Sequence, residues 1–368
     1  MIKMIDLAAE YQLLKDELDP AIQKVLAKGN YIQGEEVKVF EKQLATYLKV
    51  KHVISCANGT DALQIALMAL AIKNGDEVII PAFSYVSVIE VICLLCAKPI
   101  LVDVNFDTFQ IDENKLQKAI TSKTKAIIPV HLFGQCGNLS AILALAKEHQ
   151  IFVIEDNAQA LGAKYQNQFL GTLGNIGCTS FFPTKNLACF GDGGALFTNN
   201  NALADKIRMI ANHGQKEKYN HEVVGLNSRL DTLQAAVLKI KLNHLDRNLS
   251  KRSEIALQYL SNLKEVEGIE LPLTEKDCIA SWNQFTIKVK NDKRNLLKQY
   301  LLQNGIETMI YYPKALHQQK AYVKFGNSNK KSIILSAEVL SLPNHPLLKN
   351  EEVMSIIQHI KNFFNAKS

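Results

Sequence analysis

Short apolar runs alternate with amphipathic helical stretches through the first half of the chain, and this alternation constrains the fold more than any other feature. Parallel strands need a long crossover, usually a helix. The pattern therefore predicts an α/β fold with a mainly parallel sheet covered by helices on both faces. We expect the alternation to break between residues 182 and 195, where no helix-length pattern occurs. The predicted strands are residues 53–56, 78–80, 100–102, 126–130, 152–155, 179–182 and 195–198.

The chain of 368 residues is too long for one small core, and we predict three parts. Residues 1–30 form an N-terminal arm, residues 31–245 form a large domain, and residues 246–368 form a smaller C-terminal α/β domain. A long helix, predicted at residues 229–245 from its apolar spacing, precedes the second boundary.

Charge and composition argue against several classes of protein. The formal net charge of +6 is mild and the basic residues are scattered, so we predict no nucleic-acid partner. The longest apolar stretches are too short for a membrane span, and the start of the chain, with Asp6 and Glu10, does not resemble a signal peptide. Seven cysteines in apolar segments favour reduced thiols and a cytoplasmic protein.

A lysine follows the predicted strand at residues 179–182, in a turn that Pro183 stiffens. Burial of such a lysine would remove part of the hydration of its ammonium group. This loss lowers a lysine pKa and yields a neutral amine that attacks carbonyl carbons. Lys185 is therefore a candidate nucleophile, and a solvated turn lysine is the alternative that this segment alone leaves open.

Two carboxylates, Glu155 and Asp156, lie at the end of the predicted strand at residues 152–155. Ligands of open α/β sheets bind at the carboxyl ends of the strands. A carboxylate there can hold a protonated ring nitrogen, as it does in pyridoxal enzymes. A helix cap or a metal ligand is the alternative. Since no motif supplies further metal ligands, we predict no metal site.

A small-residue turn containing Gly59 and Thr60 separates a predicted strand from a predicted helix. Free N–H groups at a helix N-terminus, with the Thr60 hydroxyl, favour an anion such as a phosphate, and an ordinary helix cap is the alternative. Phe83 follows another strand, where it can stack on a flat cofactor or pack in the core. Residues 191–194 are interpreted as a tight turn whose glycines adopt unusual backbone angles.

Seven motifs in order resemble those of the DegT/StrS-type sugar aminotransferases, and the similarity extends essentially end to end. The resemblance implies the aspartate-aminotransferase fold, which is fold type I of the pyridoxal-phosphate enzymes, and pyridoxal 5′-phosphate as cofactor. The motifs are ANGTDAL (57–63), GDEV (75–78), PVHLFG (129–134), DNAQ (156–159), FPTKN (182–186), GDGG (191–194) and NSRLD (227–231).

The resemblance assigns roles to four residues around the cofactor ring. Lys185 matches the lysine that binds the cofactor as a Schiff base and then acts as general base. Asp156 matches the residue at the pyridine nitrogen, and Gln159 the residue at the ring hydroxyl. Phe83 matches the aromatic residue that stacks on the ring.

The resemblance also implies a phosphate site that two subunits share. Gly59, Thr60 and Ser180 match the residues that hold the phosphate. Asn227 matches an asparagine that reaches the phosphate of the partner subunit's cofactor. We therefore expect a homodimer with shared active sites.

Within the family, the runs at residues 55–65, 178–183, 213–215 and 227–236 are very similar to those of enzymes that act on a UDP-linked 2-acetamido-3-keto uronic acid, and this resemblance implies such a sugar as substrate. Such sugars serve surface polysaccharide (O-antigen, lipopolysaccharide) biosynthesis, and the family implies glutamate as amino donor. Arg229 offers a planar fork to the sugar carboxylate, with a structural ion pair as the alternative. Tyr311 and Tyr312 are the other expected substrate residues, and Tyr311 stands where many relatives have histidine.

Other functions remain as alternatives. A dTDP-linked 3-keto or 4-keto deoxysugar is the second choice of substrate. A pyridoxal-phosphate sugar dehydratase shares the fold but has histidine in place of the lysine that matches Lys185. A non-catalytic regulator is expected to lose Lys185 or Asp156, and this chain retains both. A plain α/β binding protein needs no lysine at this position.

Overall fold

The structure, a computed structural model, describes residues 1–326 and 329–365. The helices are α1 (Leu7–Lys28), α2 (Glu35–Leu48), α3 (Gly59–Ala69), α4 (Ser87–Leu94), α5 (Glu113–Ala119), α6 (Leu139–Glu148), α7 (Asn201–Ala211), α8 (Thr232–Asn243), α9 (Leu245–Leu263), α10 (Arg294–Gln303), α11 (Lys330–Glu338) and α12 (Asn350–Asn365). The strands are β1 (His52–Cys56), β2 (Glu77–Pro81), β3 (Lys98–Val102), β4 (Thr124–Ile127), β5 (Phe152–Asp156), β6 (Lys164–Tyr165), β7 (Gln168–Phe169), β8 (Ile176–Ser180), β9 (Gly194–Thr198), β10 (Gln215–Glu217), β11 (Asn220–His221), β12 (Ile269–Glu270), β13 (Cys278–Ile279), β14 (Phe285–Val289) and β15 (Val339–Leu342).

The largest sheet has the strand order β1-β9-β8-β5-β4-β2-β3. Strand β9 is antiparallel to both of its neighbours, while the pairs from β8 to β3 are parallel. Six strands therefore share one direction, and the predicted mainly parallel sheet is confirmed. The chain passes from β8 to β9 through a loop without a helix, which is where the predicted alternation breaks.

All seven predicted strands are present, but some of their limits differ. The strand predicted at residues 179–182 begins at Ile176 and ends at Ser180, because Ile176, Gly177 and Cys178 pair with β5. The strand predicted at residues 126–130 ends at Ile127. The β13-β6-β7 sheet was not predicted, since two-residue strands are too short to show an alternation.

Buried apolar clusters lie against the sheet and in the C-terminal part of the chain. Helices α3, α4 and α7 contribute to one cluster with the sheet, while α5 and α6 contribute to another. Each fully buried aliphatic side chain in them stabilises the fold by about 1.5–3 kcal/mol. Helices α9, α10 and α12 pack on the β12-β14-β15 sheet. The boundaries at residues 30 and 245 stay predictions. Among the described residues, no helix is long and apolar enough to cross a membrane.

The two carboxylates at the end of β5 have different surroundings, as expected for neighbours on a strand. Glu155 is buried and accepts hydrogen bonds from His131 Nε2 (2.8 Å) and from the N–H groups of Gly171 (2.8 Å), Leu173 (2.7 Å) and Gly174 (2.6 Å). Burial alone would raise the pKa of Glu155, but these hydrogen bonds lower it below its ordinary value. Glu155 therefore fixes the loop before β8 as a buried carboxylate.

Replacing Glu155 with glutamine should destabilise the fold, because an amide cannot accept from all four donors. Hydrogen bonds to a charged group contribute about 1.5–3 kcal/mol each, and we expect a loss of that order in the free energy of unfolding at neutral pH. Since the folded pKa lies below the unfolded one, the carboxylate's contribution is complete above the unfolded pKa of about 4.3 and is lost as the pH falls through the folded value.

Urea denaturation from neutral to acid pH measures this effect. The difference between Glu155→Gln and the wild type should narrow as the pH falls below about 4. The control is Glu148→Gln at the exposed end of α6. Equal stability of Glu155→Gln and the control at pH 7 would show that Glu155 does not hold the loop.

Candidate active site

Three strand ends meet at one edge of the main sheet. Gly194, the first residue of the reversed strand β9, pairs with Cys56 at the end of β1 and with Ser180 at the end of β8. Asp156 at the end of β5 pairs with Cys178. The predicted anion turn, the predicted carboxylate and the predicted lysine loop therefore begin at the same edge.

The turn after β1 forms a tight cradle with Ser180. Helix α3 begins at Gly59, and the Asn58 side chain caps it by accepting from Asp61 N (2.8 Å). A Cβ added to Gly59 would lie 2.7 Å from Ser180 Cβ, so only glycine permits this approach. Gly59, Thr60 and Ser180 are thus brought together at a helix N-terminus, an arrangement that suits an anion.

The interpretation of residues 191–194 by backbone angle was wrong. Gly191, Gly193 and Gly194 do not have the positive φ values that favour glycine. A Cβ on Gly194 would instead lie 2.4 Å from the carbonyl oxygen of Asn58. Gly194 is needed for close packing of β9 against the anion turn.

Asp156 is a buried carboxylate that has few hydrogen bonds to replace its lost hydration. Its Oδ1 accepts from Ala158 N (3.1 Å), the one hydrogen bond of this side chain in the described part of the chain. Burial raises the pKa of Asp156, while the nearby charges of Lys185 and His131 act in the opposite direction. A further cationic partner would stabilise this carboxylate.

Lys185 lies in the loop after β8, and its backbone N–H donates to Phe182 O (2.9 Å) in a turn. Burial of the amine lowers the pKa of Lys185 to about 8, and the Asp156 carboxylate opposes that shift. A substantial fraction of the amine is therefore neutral near physiological pH. This is the protonation state that a nucleophile or a general base requires.

Gln159 links the loop after β5 to the C-terminal part of the chain. Its Oε1 accepts from Phe133 N (2.8 Å), and its Nε2 donates to the Tyr312 hydroxyl (2.9 Å). The Tyr312 ring packs against buried Phe83 with centroids 6.4 Å apart and against Tyr311 with centroids 5.7 Å apart. Phe83, Gln159, Tyr311 and Tyr312 therefore form one cluster.

Sequence reasoning missed a role for His131. His131 is 1% exposed, bonds Glu155, and its charge acts on the Asp156 carboxylate. Its backbone N–H also donates to Asp156 O (2.9 Å). The position of His131 directly after a predicted strand, in the PVHLFG motif, could have indicated a residue of the site. Nothing in the sequence, however, identified Glu155 as its partner.

In the described part of the chain, no hydrogen bond joins the side chains of Asn227 and Arg229 to this cluster. Asn227 is exposed, and Arg229 is partly exposed and donates to Asn212 Oδ1 (3.4 Å). Arg229 lines a cavity of ≈ 920 Å³ that Lys185 and Asp156 do not line. Ser228, between the two, accepts from Ala57 N (3.1 Å) and so contacts the anion turn.

The residues present fit pyridoxal phosphate. The buried Asp156 carboxylate suits a protonated ring nitrogen, and the Gly59 cradle, which a Cβ would fill, suits the phosphate. Lys185 supplies an amine with a lowered pKa. In residues 1–326 and 329–365, no group of three or more His, Cys, Asp or Glu side chains is placed to hold a metal ion.

Comparison with known proteins supports the same cofactor. The sequence profile of the DegT/DnrJ/EryC1/StrS aminotransferase family matches residues 12–361. A UDP-2-acetamido-2-deoxy-3-oxo-D-glucuronate aminotransferase of Pseudomonas aeruginosa is 44% identical, over 98% of this chain and 100% of its own. A dTDP-3-amino-3,4,6-trideoxy-alpha-D-glucose transaminase of Streptomyces venezuelae is 39% identical, over 98% of this chain and 96% of its own.

Solved structures agree with these relatives. The X-ray structure of S. venezuelae DesV superimposes with a TM-score of 0.97 at 38% identity, over 100% of this chain and 99% of that chain. Other matching structures hold the cofactor in its PLP and PMP forms. The predicted fold type I and pyridoxal phosphate are thus confirmed, and the chain belongs to the DegT/DnrJ/EryC1/StrS aminotransferase family.

Proposed function

We propose that this chain transfers an amino group from glutamate to the keto carbon of a nucleotide-linked sugar. The observation that carries this proposal is the pairing of half-buried Lys185, whose desolvated amine has a lowered pKa, with buried Asp156, whose carboxylate has one hydrogen bond in the described part of the chain. This pair supplies both a general base and a charge that holds the ring nitrogen.

Each side chain of the site then has a separate task. Bound pyridoxal phosphate supplies an electron sink for the carbon that loses a proton. Asp156 would hold the ring nitrogen protonated, Phe83 would stack on the ring, and Gln159 would contact the ring hydroxyl. Gly59, Thr60 and Ser180 would hold the phosphate.

Lys185 moves the proton in both half-reactions. With the cofactor bound, Lys185 would hold it through its amine. The same amine, when free, would take the proton from the glutamate α-carbon and would deliver a proton to the sugar carbon that gains nitrogen. An amine with a pKa of about 8 suits a group that must accept and donate at similar pH.

The proposed substrate is a UDP-linked 2-acetamido-3-keto uronic acid for surface polysaccharide. The Pseudomonas aeruginosa relative is named for such a sugar. Arg229 supports the choice, because in the described part of the chain no carboxylate, Asp231 included, forms an ion pair with it. Its fork is available to a sugar carboxylate, and Tyr311 and Tyr312 would contact the sugar.

A dTDP-linked keto deoxysugar is the second candidate. The Streptomyces venezuelae relative, named for a dTDP sugar, covers almost the same length at 39% identity. Such a sugar is neutral at C6 and would leave Arg229 without a partner.

The working enzyme would be a homodimer in the cytoplasm. The exposure of Asn227 in one chain supports a site that a second subunit completes. The seven free cysteines suit a reducing compartment.

The pH dependence of cofactor attachment tests Lys185. Because the neutral amine reacts, the rate at which apoenzyme binds pyridoxal phosphate covalently should rise through a pH of about 8 and then level. Lys185→Ala should abolish covalent attachment and reduce turnover by at least about 10²–10⁴-fold. Absorbance of the bound cofactor gives the rate, with exposed Lys118→Ala as control. Near-normal turnover of Lys185→Ala would end the assignment.

Comparison of two arginines tests the sugar carboxylate. Arg208 lines the same cavity as Arg229 but pairs with Glu41 (2.9 Å), so Arg208→Ala is the matched control. Arg229→Ala should lose about 1.5–3 kcal/mol in kcat/KM for the UDP-3-keto uronate and much less for a neutral dTDP-keto sugar. Equal losses for both sugars, or a wild type that prefers the neutral one, would mean that Arg229 does not recognise a carboxylate.

Subunit complementation tests the shared site. Asn227→Asp places a negative charge against the partner's phosphate, and Lys185→Ala removes the amine, so each variant alone should be inactive. A mixed dimer then has one site with both wild-type residues, and random re-association should restore about a quarter of the wild-type activity. No recovery in dimers shown to have mixed would mean that each site uses its own Asn227.

A further inference from the structure

The segment before β14, residues 281–284, is hydrogen-bonded to the Phe133–Gly134 turn. Ser281 N donates to Gly134 O (2.8 Å), and Gln284 N donates to Phe133 O (3.4 Å). The Phe133–Gly134 turn is left-handed, with φ of 63° and 101°, and a Cβ on Gly134 would lie 2.8 Å from Asn283 N. Such a conformation persists where its surroundings hold it, so this segment has a fixed position.

Asn283 uses its side chain to bind both neighbours of Lys185. Its Nδ2 donates to Thr184 O (3.3 Å) and to Asn186 Oδ1 (3.1 Å), and Asn283 is 4% exposed. Asn186 Nδ2 in turn donates to Leu161 O (3.3 Å). One buried amide therefore connects the chain on either side of the lysine.

The other end of this contact is anchored in the C-terminal core, which is the apolar cluster that α9, α10 and α12 form on the β12-β14-β15 sheet. Asn283 O accepts from Arg252 Nη1 (3.3 Å), and the same nitrogen donates to Asn344 O. Arg252 is 5% exposed and lies on α9, whose neighbouring residues Ile255 and Tyr259 belong to that core. The position of Asn283 is therefore set by packing outside the lysine loop.

We propose that Asn283 is a positioning residue for Lys185, which it serves by clamping Thr184 and Asn186 so that the amine stays beside Asp156. The inference rests on the proposed role of Lys185. A lysine amine sits at the end of a flexible four-carbon chain, so the position of its Cα limits where the amine can reach. Small displacements of a catalytic group cost rate, because proton transfer requires hydrogen-bond reach.

Two buried asparagines of this region differ in what their side-chain amides bind. In the described part of the chain, Asn283 Oδ1 has no hydrogen-bond partner, while its Nδ2 reaches the lysine loop. Asn344 offers a matched comparison in the same core. It is 2% exposed, donates through Nδ2 to Trp282 O (2.8 Å) and also has an unpaired Oδ1, but in the described chain no hydrogen bond joins its side chain to the Lys185 loop.

The test compares Asn283→Leu with Asn344→Leu, each of which removes an amide at similar volume. The main readout is the pH midpoint for covalent attachment of pyridoxal phosphate to the apoenzyme. In Asn283→Leu the lysine loop loses its hydrogen bonds to residue 283, so water should reach the Lys185 amine. Hydration favours the protonated amine, and the pH midpoint should therefore rise by about one unit. Turnover should fall about tenfold, with a larger isotope effect from α-deuterated glutamate. Both variants should lower the melting temperature, but Asn344→Leu, whose side chain binds this segment at Trp282 O and not the lysine loop, should shift the midpoint much less than Asn283→Leu.

Two further variants cover a failure of Asn283→Leu to fold. Asn283→His keeps a donor near the position of Nδ2 and should restore the midpoint. Asn186→Ala removes one arm of the clamp from the loop side and should raise the midpoint in part. Unchanged midpoints in Asn283→Leu and Asn186→Ala would overturn the inference.

Borohydride reduction of the wild-type holoenzyme, followed by peptide mass analysis, separates this outcome from a failure of the proposed function. Cofactor trapped on Lys185 with unchanged midpoints refutes only the clamp. Cofactor trapped on another lysine refutes the role of Lys185 and the clamp with it.

Discussion

The active site depends on the buried Asp156 carboxylate and the desolvated amine of half-buried Lys185. Asp156 and Lys185 each lose hydration, and each partly compensates the other's charge. Neither group is balanced by this pair alone, because burial raises the pKa of Asp156 and lowers that of Lys185. A cationic ring nitrogen of bound pyridoxal phosphate would balance the charge of Asp156. In the proposed function, the same desolvation would then serve both cofactor retention and the reactivity of the amine.

The reversed strand explains how these groups meet. Because β9 runs opposite to β8 and β1, its first residue, Gly194, lies beside the last residues of both neighbours. A helix between β8 and β9 would carry the chain away from the site. The short return keeps Lys185 next to the strand end that Ser180 occupies. The backbone of Asn58 approaches Gly194 so closely that a side chain there would clash. The anion turn and the first residue of β9, which follows the lysine loop, are therefore held against each other by main-chain packing.

Much of this arrangement could be predicted from local patterns. The strand ends, the small-residue turn at Gly59 and the proline-stiffened lysine loop are each visible within a few residues. The contacts of His131 with Glu155 and of Asn283 with Thr184 join residues 24 and 99 positions apart, and no local pattern contains them. The glycines at residues 191–194 could not be explained from the local sequence either. Gly194 is required by its close contact with the backbone of Asn58 and not by a turn angle. Glu155 and Asp156 could have been separated by strand alternation alone.

The reactivity of Lys185 is consequently a property of the whole chain. The FPTKN motif supplies a lysine in a turn, but an isolated turn would leave its amine in water with an ordinary pKa near 10.4. The main sheet buries the amine and places Asp156 nearby. The C-terminal core holds the loop through Asn283 and Arg252, and the Phe133 turn holds Gln159 against Tyr312. Movement of the C-terminal core would therefore shift the Lys185 loop, which these hydrogen bonds connect to it.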